Sequence, residues 1–204
     1  MKSIRDVYKI GKGPSSSHTM GPERAARLFL SKYPDAETYR VVLYGSLSKT
    51  GRGHGTDRVL YEVLGRERTE VVFSEETPHS LPHPNTLDFF ACREGKPYAT
   101  MRVASIGGGD IRIEGQDAPE EQDEVYPENS FAEIAQFCRW RYISLSEYVE
   151  LNEGPGIWDF LAEVWQTMKQ AVADGLAAEG TLPGGLNVER NCLLYTSDAA
   201  DDRI

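Results

Sequence analysis

Long apolar runs are missing from this chain. No stretch approaches the ~20 residues that an α-helix needs to cross a bilayer, and Met1-Lys2-Ser3-Ile4-Arg5-Asp6 has no apolar signal core. Those absences make a cytoplasmic location the expectation. Cysteine is scarce. Cys92, Cys138 and Cys192 are scattered, with no C-x-x-C pair and no histidine at ligand spacing, which argues against a disulfide framework and against a complete metal site within the chain. Cys92 and Cys138 read as buried small hydrophobes. Positive charge is in deficit: 22 Lys and Arg against 32 Asp and Glu leave a net charge of −10, so nucleic acid and anionic membranes are poor partners. No internal repeat or low-complexity block stands out. What is present, 40% hydrophobic residues over 204 positions, is enough for one good core, or one domain and part of a second.

The stretch Gly13-Pro14-Ser15-Ser16-Ser17-His18-Thr19-Met20-Gly21-Pro22 organises the rest. Pro22 cannot donate an amide hydrogen bond, so it belongs in the first turn of the helix that follows. Thr19 is the expected cap, which leaves residues 15–18 in a loop before the helix start. Hydroxyls, free amides and the positive end of the helix dipole then converge, a setting that suits a carboxylate or phosphate. The alternative is a Ser-rich cap with a solvated histidine.

From Pro22, the apolar positions Ala25, Ala26, Phe29, Leu30 and Tyr33 recur at helical spacing. Residues 38–47 are β-branched and aromatic and predict a strand, running into a glycine loop at 49–57. A helix is expected over 58–64 and a strand over 70–73. Residues 86–93 and 98–106 predict an antiparallel hairpin, with 111–113 as a further strand. Two capping boxes, Ser130-Phe131-Ala132-Glu133 and Ser144-Leu145-Ser146-Glu147, each open a short helix. After Gly154-Pro155-Gly156, the positions Ile157, Phe160, Leu161, Val164, Met168, Ala171, Val172 and Leu176 form one long amphipathic stripe. The fold class expected is α+β, a mostly antiparallel sheet with flanking helices, followed by the start of an all-α domain. The expected boundaries are a first domain at 1–153, an incomplete second at 154–190, and a tail at 191–204.

Three further stretches break the local pattern. In Thr50-Gly51-Arg52-Gly53-His54-Gly55-Thr56-Asp57, alternating glycines would let a backbone approach a ligand, and Thr56 or Asp57 can cap the next helix. His54 between two glycines has no bulky sequence neighbours to pack it, which points to catalysis or ligand contact. His83-Pro84-Asn85-Thr86 offers Asn85 as donor and acceptor in a fixed loop, or as a purely local turn former. His79 reads as solvent-exposed. Ser105-Ile106-Gly107-Gly108-Gly109 at a strand end is structural on spacing alone.

Together, and in this order, these four stretches resemble the iron–sulfur-dependent L-serine dehydratases, whose β region opens with such a motif. A fifth, Leu182-Pro183-Gly184-Gly185-Leu186-Asn187-Val188-Glu189-Arg190, resembles the start of the family's α region. The resemblance covers residues 1 to about 190. It implies conversion of L-serine to pyruvate and ammonia without pyridoxal phosphate, in serine degradation and gluconeogenesis. It also implies a [4Fe–4S] cluster held by three α-region cysteines, and a β region similar to the allosteric substrate-binding domain of some phosphoglycerate dehydrogenases. On this basis His54 is the candidate general base and His18 a contact to substrate or cluster. Ser15, Ser16, Ser17, Thr19, Thr56, Asp57, Asn85, Thr86 and Gly108 are candidate substrate contacts. No metal ligand is expected in this chain, because Cys92 and Cys138 fall in no matching motif and Cys192 opens a segment that reads as translated sequencing-adapter DNA. The chain is therefore expected to be an inactive fragment of a protein that binds L-serine and forms a homodimer when complete. The competing reading is a stand-alone serine-binding regulatory domain.

Overall fold

Period-two alternation of apolar side chains builds the sheet. The computed structural model describes residues 1–75, 81–116, 124–181 and 187–190. Strands β1 (Thr38–Leu43), β2 (Thr69–Phe73), β3 (Thr86–Arg93), β4 (Lys96–Gly107) and β5 (Asp110–Ile113) form one sheet in the order β2-β1-β3-β4-β5. β1 and β2 run parallel, and the other neighbouring pairs are antiparallel. The architecture is α+β with a mostly antiparallel sheet, as the sequence leads one to expect. Register places Tyr39, Val41 and Leu43 beside Ala91, Phe89 and Leu87, so one face carries these six with Met101 and Val103, all buried. Helices α1 (Gly21–Lys32), α2 (Gly45–His54) and α3 (Thr56–Leu64) pack there, adding Ala25, Ala26, Phe29, Leu47, Leu60 and Leu64 to the same core. Each large side chain so buried contributes about 1.5–3 kcal/mol. Between β3 and β4, Glu94 and Gly95 take φ of 50° and 72°, the backbone of a two-residue hairpin turn.

The strand expected over 38–47 ends at Leu43, and the expected glycine loop at 49–57 is mostly helix. Ser46 donates its N–H to the Pro84 carbonyl at 2.9 Å as α2 begins. Alternating glycines suggest a loop because each costs about 1 kcal/mol against alanine inside a helix. Packing overrides that cost. A Cβ at Gly51 would lie 3.0 Å from Thr56 Oγ1, and Gly55, at φ 72°, closes α2 by donating to the Arg52 carbonyl and starts α3 at the next residue. The glycines make a tight corner between helices rather than a loop.

The chain groups into two compact units, one from Met1–Ile10 with Ala118–Ala178, the other from Gly11–Asp117 with Glu179–Ile204. The sheet and α1–α3 belong to the latter. The other unit contains α4 (Phe131–Arg141), α5 (Leu145–Glu153) and α6 (Ile157–Ala177). Both expected capping boxes are formed, Ser130 with Glu133 and Ser144 with Glu147. Tyr126, Ile134 and Tyr148 make its small core. Glu153 ties in the N-terminus, accepting from Ser3 Oγ and the Ile4 N–H at 2.7 Å each and from the Tyr126 hydroxyl at 2.8 Å. The break at Gly154-Pro155-Gly156 separates α5 from α6 inside this unit. Cys92 on β3 and Cys138 on α4, expected to be buried, are half-buried free thiols. His79, residues 182–186 and the tail at 191–204 lie outside the described residues.

Candidate active site

The end of β1, the start of β3 and the end of β4 meet the beginnings of α1 and α2, and the polar residues of the motifs collect there. Pro22 sits in the first turn of α1 as expected. Residues 15–18, however, are not a loop before a capped helix. Ser16–Met20 wind as a π-helical turn that runs directly into α1. Thr19 is no cap: it is buried, and its hydroxyl lies 2.6 Å from the Lys12 carbonyl and also against that of Ser15. The Thr19 amide donates to the Ser15 carbonyl at 2.8 Å and the His18 amide at 3.2 Å. Those two amides are therefore occupied rather than free for an anion.

This turn carries His18 inward, where it is 8% exposed. Its Nδ1 lies 3.2 Å from Ser15 Oγ and 3.0 Å from Ser17 Oγ. Its Nε2 lies 3.2 Å from Ser46 Oγ and 3.0 Å from Thr50 Oγ1. Thr50 donates its hydroxyl proton to the Ser46 carbonyl at 2.9 Å, so Nε2 is the donor toward Thr50, and Nδ1, with a single lone pair, is the acceptor from either Ser15 or Ser17. Burial, then the neighbouring His54, push the His18 pKa down, while a hydrogen bond at Ser46 works the other way. The two imidazole rings lie 4.8 Å apart, tilted by 49°. Thr56 is fully buried, and its hydroxyl donates to the His18 carbonyl at 2.7 Å.

His54 ends α2 and lines a cleft of about 490 Å³ with Lys12, Arg52, Asp57 and Arg58. Glu62 pairs with Lys12 and with Arg58 Nε, and these hydrogen bonds, Lys12 foremost, hold its carboxyl below the usual range. The Arg52 guanidinium lies 4.6 Å over the Phe73 ring. The lining thus sets Lys12, Arg52 and Arg58 against Asp57, with Glu62 paired to Lys12 and Arg58. Two other concavities, of about 480 and 570 Å³, contain none of the sequence-predicted residues.

The remaining candidates divide. The Asn85 amide donates to His83 Nδ1 at 3.1 Å, and its Oδ1 is buried with no hydrogen-bond partner. Thr86 is buried and donates to the His83 carbonyl at 2.6 Å, so its hydroxyl is committed to its own turn. Gly108 is an exposed turn residue at φ 58°. Ser46, Thr50 and Ser105 were not among the expected site residues. Ser46 and Thr50 are four apart on one face of α2, a signal readable only once that stretch is taken as helix. Ser105 is fully buried, with an unpartnered Oγ.

The residue range of the first two motifs also matches a known family. Residues 3–77 match the family described as serine dehydratase beta chain. The matched stretch includes the π-helical turn, His18, α2, His54, Thr56 and Asp57, while Asn85, Thr86 and Gly108 fall after it. The chain is 32% identical to L-serine dehydratase 1 of Escherichia coli (strain K12), over 97% of this chain and 55% of that protein. It is 33% identical to L-serine dehydratase of Streptomyces coelicolor, over 92% of this chain and 52% of the relative. For the Haemophilus influenzae L-serine dehydratase the figures are 30%, 93% and 52%. The chain thus spans about half the length of the curated relatives it matches.

The described residues do not supply an iron–sulfur ligand set. Cys92 and Cys138 lie in different units, Cys192 is outside the described residues, and no three His, Cys, Asp or Glu side chains cluster among the described residues.

Proposed function

We propose that this chain is the β region, with the start of the α region, of an L-serine dehydratase that converts L-serine to pyruvate and ammonia. The observation that carries the reading is the His18–His54 pair beside a cleft lined by Lys12, Arg52 and Arg58, inside the stretch that matches the serine dehydratase β chain. The cleft cations and the serine hydroxyls of the π-helical turn hold the substrate carboxylate. His54, the outer histidine, takes the α-proton as general base. His18, kept neutral by burial, orders the hydroxyls on both sides of its ring. Thr19, Thr56 and Thr86 support the site through committed hydroxyls, and Asn85 offers its unpartnered Oδ1. The [4Fe–4S] cluster implied by the resemblance would take its ligands from sequence outside the described residues and would supply Lewis-acid activation of the serine hydroxyl. The division at 154, a cytoplasmic location and a homodimer of the complete protein belong to the same proposal. No helix among the described residues is long and apolar enough to cross a membrane.

The test is kinetic, in a full-length dehydratase carrying this segment. His54→Ala is expected to lower kcat by roughly 10²–10⁴-fold, the range of a positioned acid–base group. Ser16→Ala and Asn85→Ala are expected to raise KM or lower kcat while the protein stays folded. Near-wild-type turnover of His54→Ala with an intact cofactor would remove His54 from the role of base.

A further inference from the structure

Most fully buried hydroxyls have a hydrogen-bond partner. Thr56 is at 0% exposure, and its partner is the carbonyl of His18, 2.7 Å away. The choice of acceptor has a cause in the sequence. The α-helical partner of the residue 18 carbonyl is the N–H of residue 22, and residue 22 is proline, which has none. Pro22 therefore removes the α-helical donor to this carbonyl, and the Thr56 hydroxyl bonds it.

Thr56 is also the first residue of α3, directly after the Gly55 corner and two positions from His54. One hydrogen bond thus joins the backbone bearing one imidazole to the corner bearing the other. Gly51 tightens the joint, since a Cβ there would lie 3.0 Å from Thr56 Oγ1 and 3.2 Å from Thr56 Cβ. The last turn of α2 is pressed against the threonine. At the ring end, Ser46 and Thr50 of α2 meet His18 Nε2. His18 is held by α3 at its backbone and by α2 at its ring.

We infer that Thr56 is a positioning residue, whose hydroxyl fixes the His18 carbonyl and through it the spacing of the His18 and His54 rings. The consequence for turnover rests on the function proposed above; the clasp itself is a property of this chain and can be read without activity.

The experiment is an NMR titration of the imidazoles in the full chain. His54 depresses the His18 pKa, so His54→Gln displaces the His18 midpoint upward. In Thr56→Val, which keeps the shape and removes the hydroxyl, that displacement is expected to be lost, and Thr56→Ser is expected to restore it. An undiminished displacement in folded Thr56→Val overturns the inference. A second measurement needs no substitution: the Thr56 hydroxyl proton should be visible and protected from exchange with water. Exchange as fast as that of a solvent-exposed threonine also overturns it. If coupling is lost yet Thr56→Val leaves kcat of a full-length dehydratase unchanged, the clasp stands and the catalytic reading of the histidine pair fails instead.

Discussion

His18 binds a proton less readily in the folded chain than in the unfolded one, because burial and then His54 disfavour its charged form. The sign of its effect on stability follows. Above the ordinary histidine value of about 6.5 both states carry a neutral ring, and its full contribution to stability is present. As pH falls below that value the unfolded chain takes up the proton first, and the contribution is lost as pH drops through the lower folded-state value. The urea midpoint of the chain is therefore expected to fall between about pH 7 and about pH 5, and to fall less in His18→Gln. Equal falls in the two chains would place the pH sensitivity in other groups. At this scale the sequence named both histidines and the serines around Nδ1, since each lay in a motif that broke its local pattern. It did not assign Ser46 or Thr50 to the site, because their relation to His18 depends on a helix whose composition argues against it.

That helix is where reading the sequence and reading the structure part. The hairpin, the two capping boxes and α6 were legible because local signals and tertiary packing agree there: alternation, Ser-x-x-Glu spacing and a 3.6-residue stripe each match the environment the element meets. In α2 they disagree. Its glycines lower helix propensity, and the helix persists because Gly51 and the Gly55 corner let Thr56 and Phe73 pack closely. Gly53 is different in kind. Nothing lies within 4 Å of a Cβ built on it, and its φ is not in the left-handed region. Gly53→Ala should accordingly stabilise the chain by about 0.4–1 kcal/mol, through a less flexible unfolded state and better helix propensity. Chemical denaturation reads this directly, and a destabilised Gly53→Ala chain would show that the segment is not helical at that residue. The π-helical turn at Ser16–Met20 was illegible for a related reason: three serines and a histidine carry no periodic apolar signal, and the turn is held by the Thr19 and Thr56 hydroxyls rather than by a cap.

Over the whole molecule, two long-range terms oppose each other. α6 leaves Trp158, Trp165, Met168, Val172 and Leu176 between 40% and 65% exposed, and these positions are separated by seven, three, four and four residues, spacings that align side chains along a helix. Apolar surface of that extent favours association. The net charge of −10 repels a second copy, with a range set by the Debye length of about 10 Å at 0.1 M salt. Salt shortens the repulsion and leaves the apolar contribution nearly untouched, so the chain is expected to self-associate more strongly as ionic strength rises. Sedimentation equilibrium at low and at physiological salt separates the two terms. Trp165→Glu with Val172→Glu, which breaks the exposed stripe while sparing the buried Ile157 and Val164, should keep the chain monomeric at both. An association that weakens with salt would mean that charged pairs, not α6, bring the copies together. A wild-type chain that stays monomeric at high concentration in both buffers would show that the exposed stripe is too small to overcome the entropy lost on pairing.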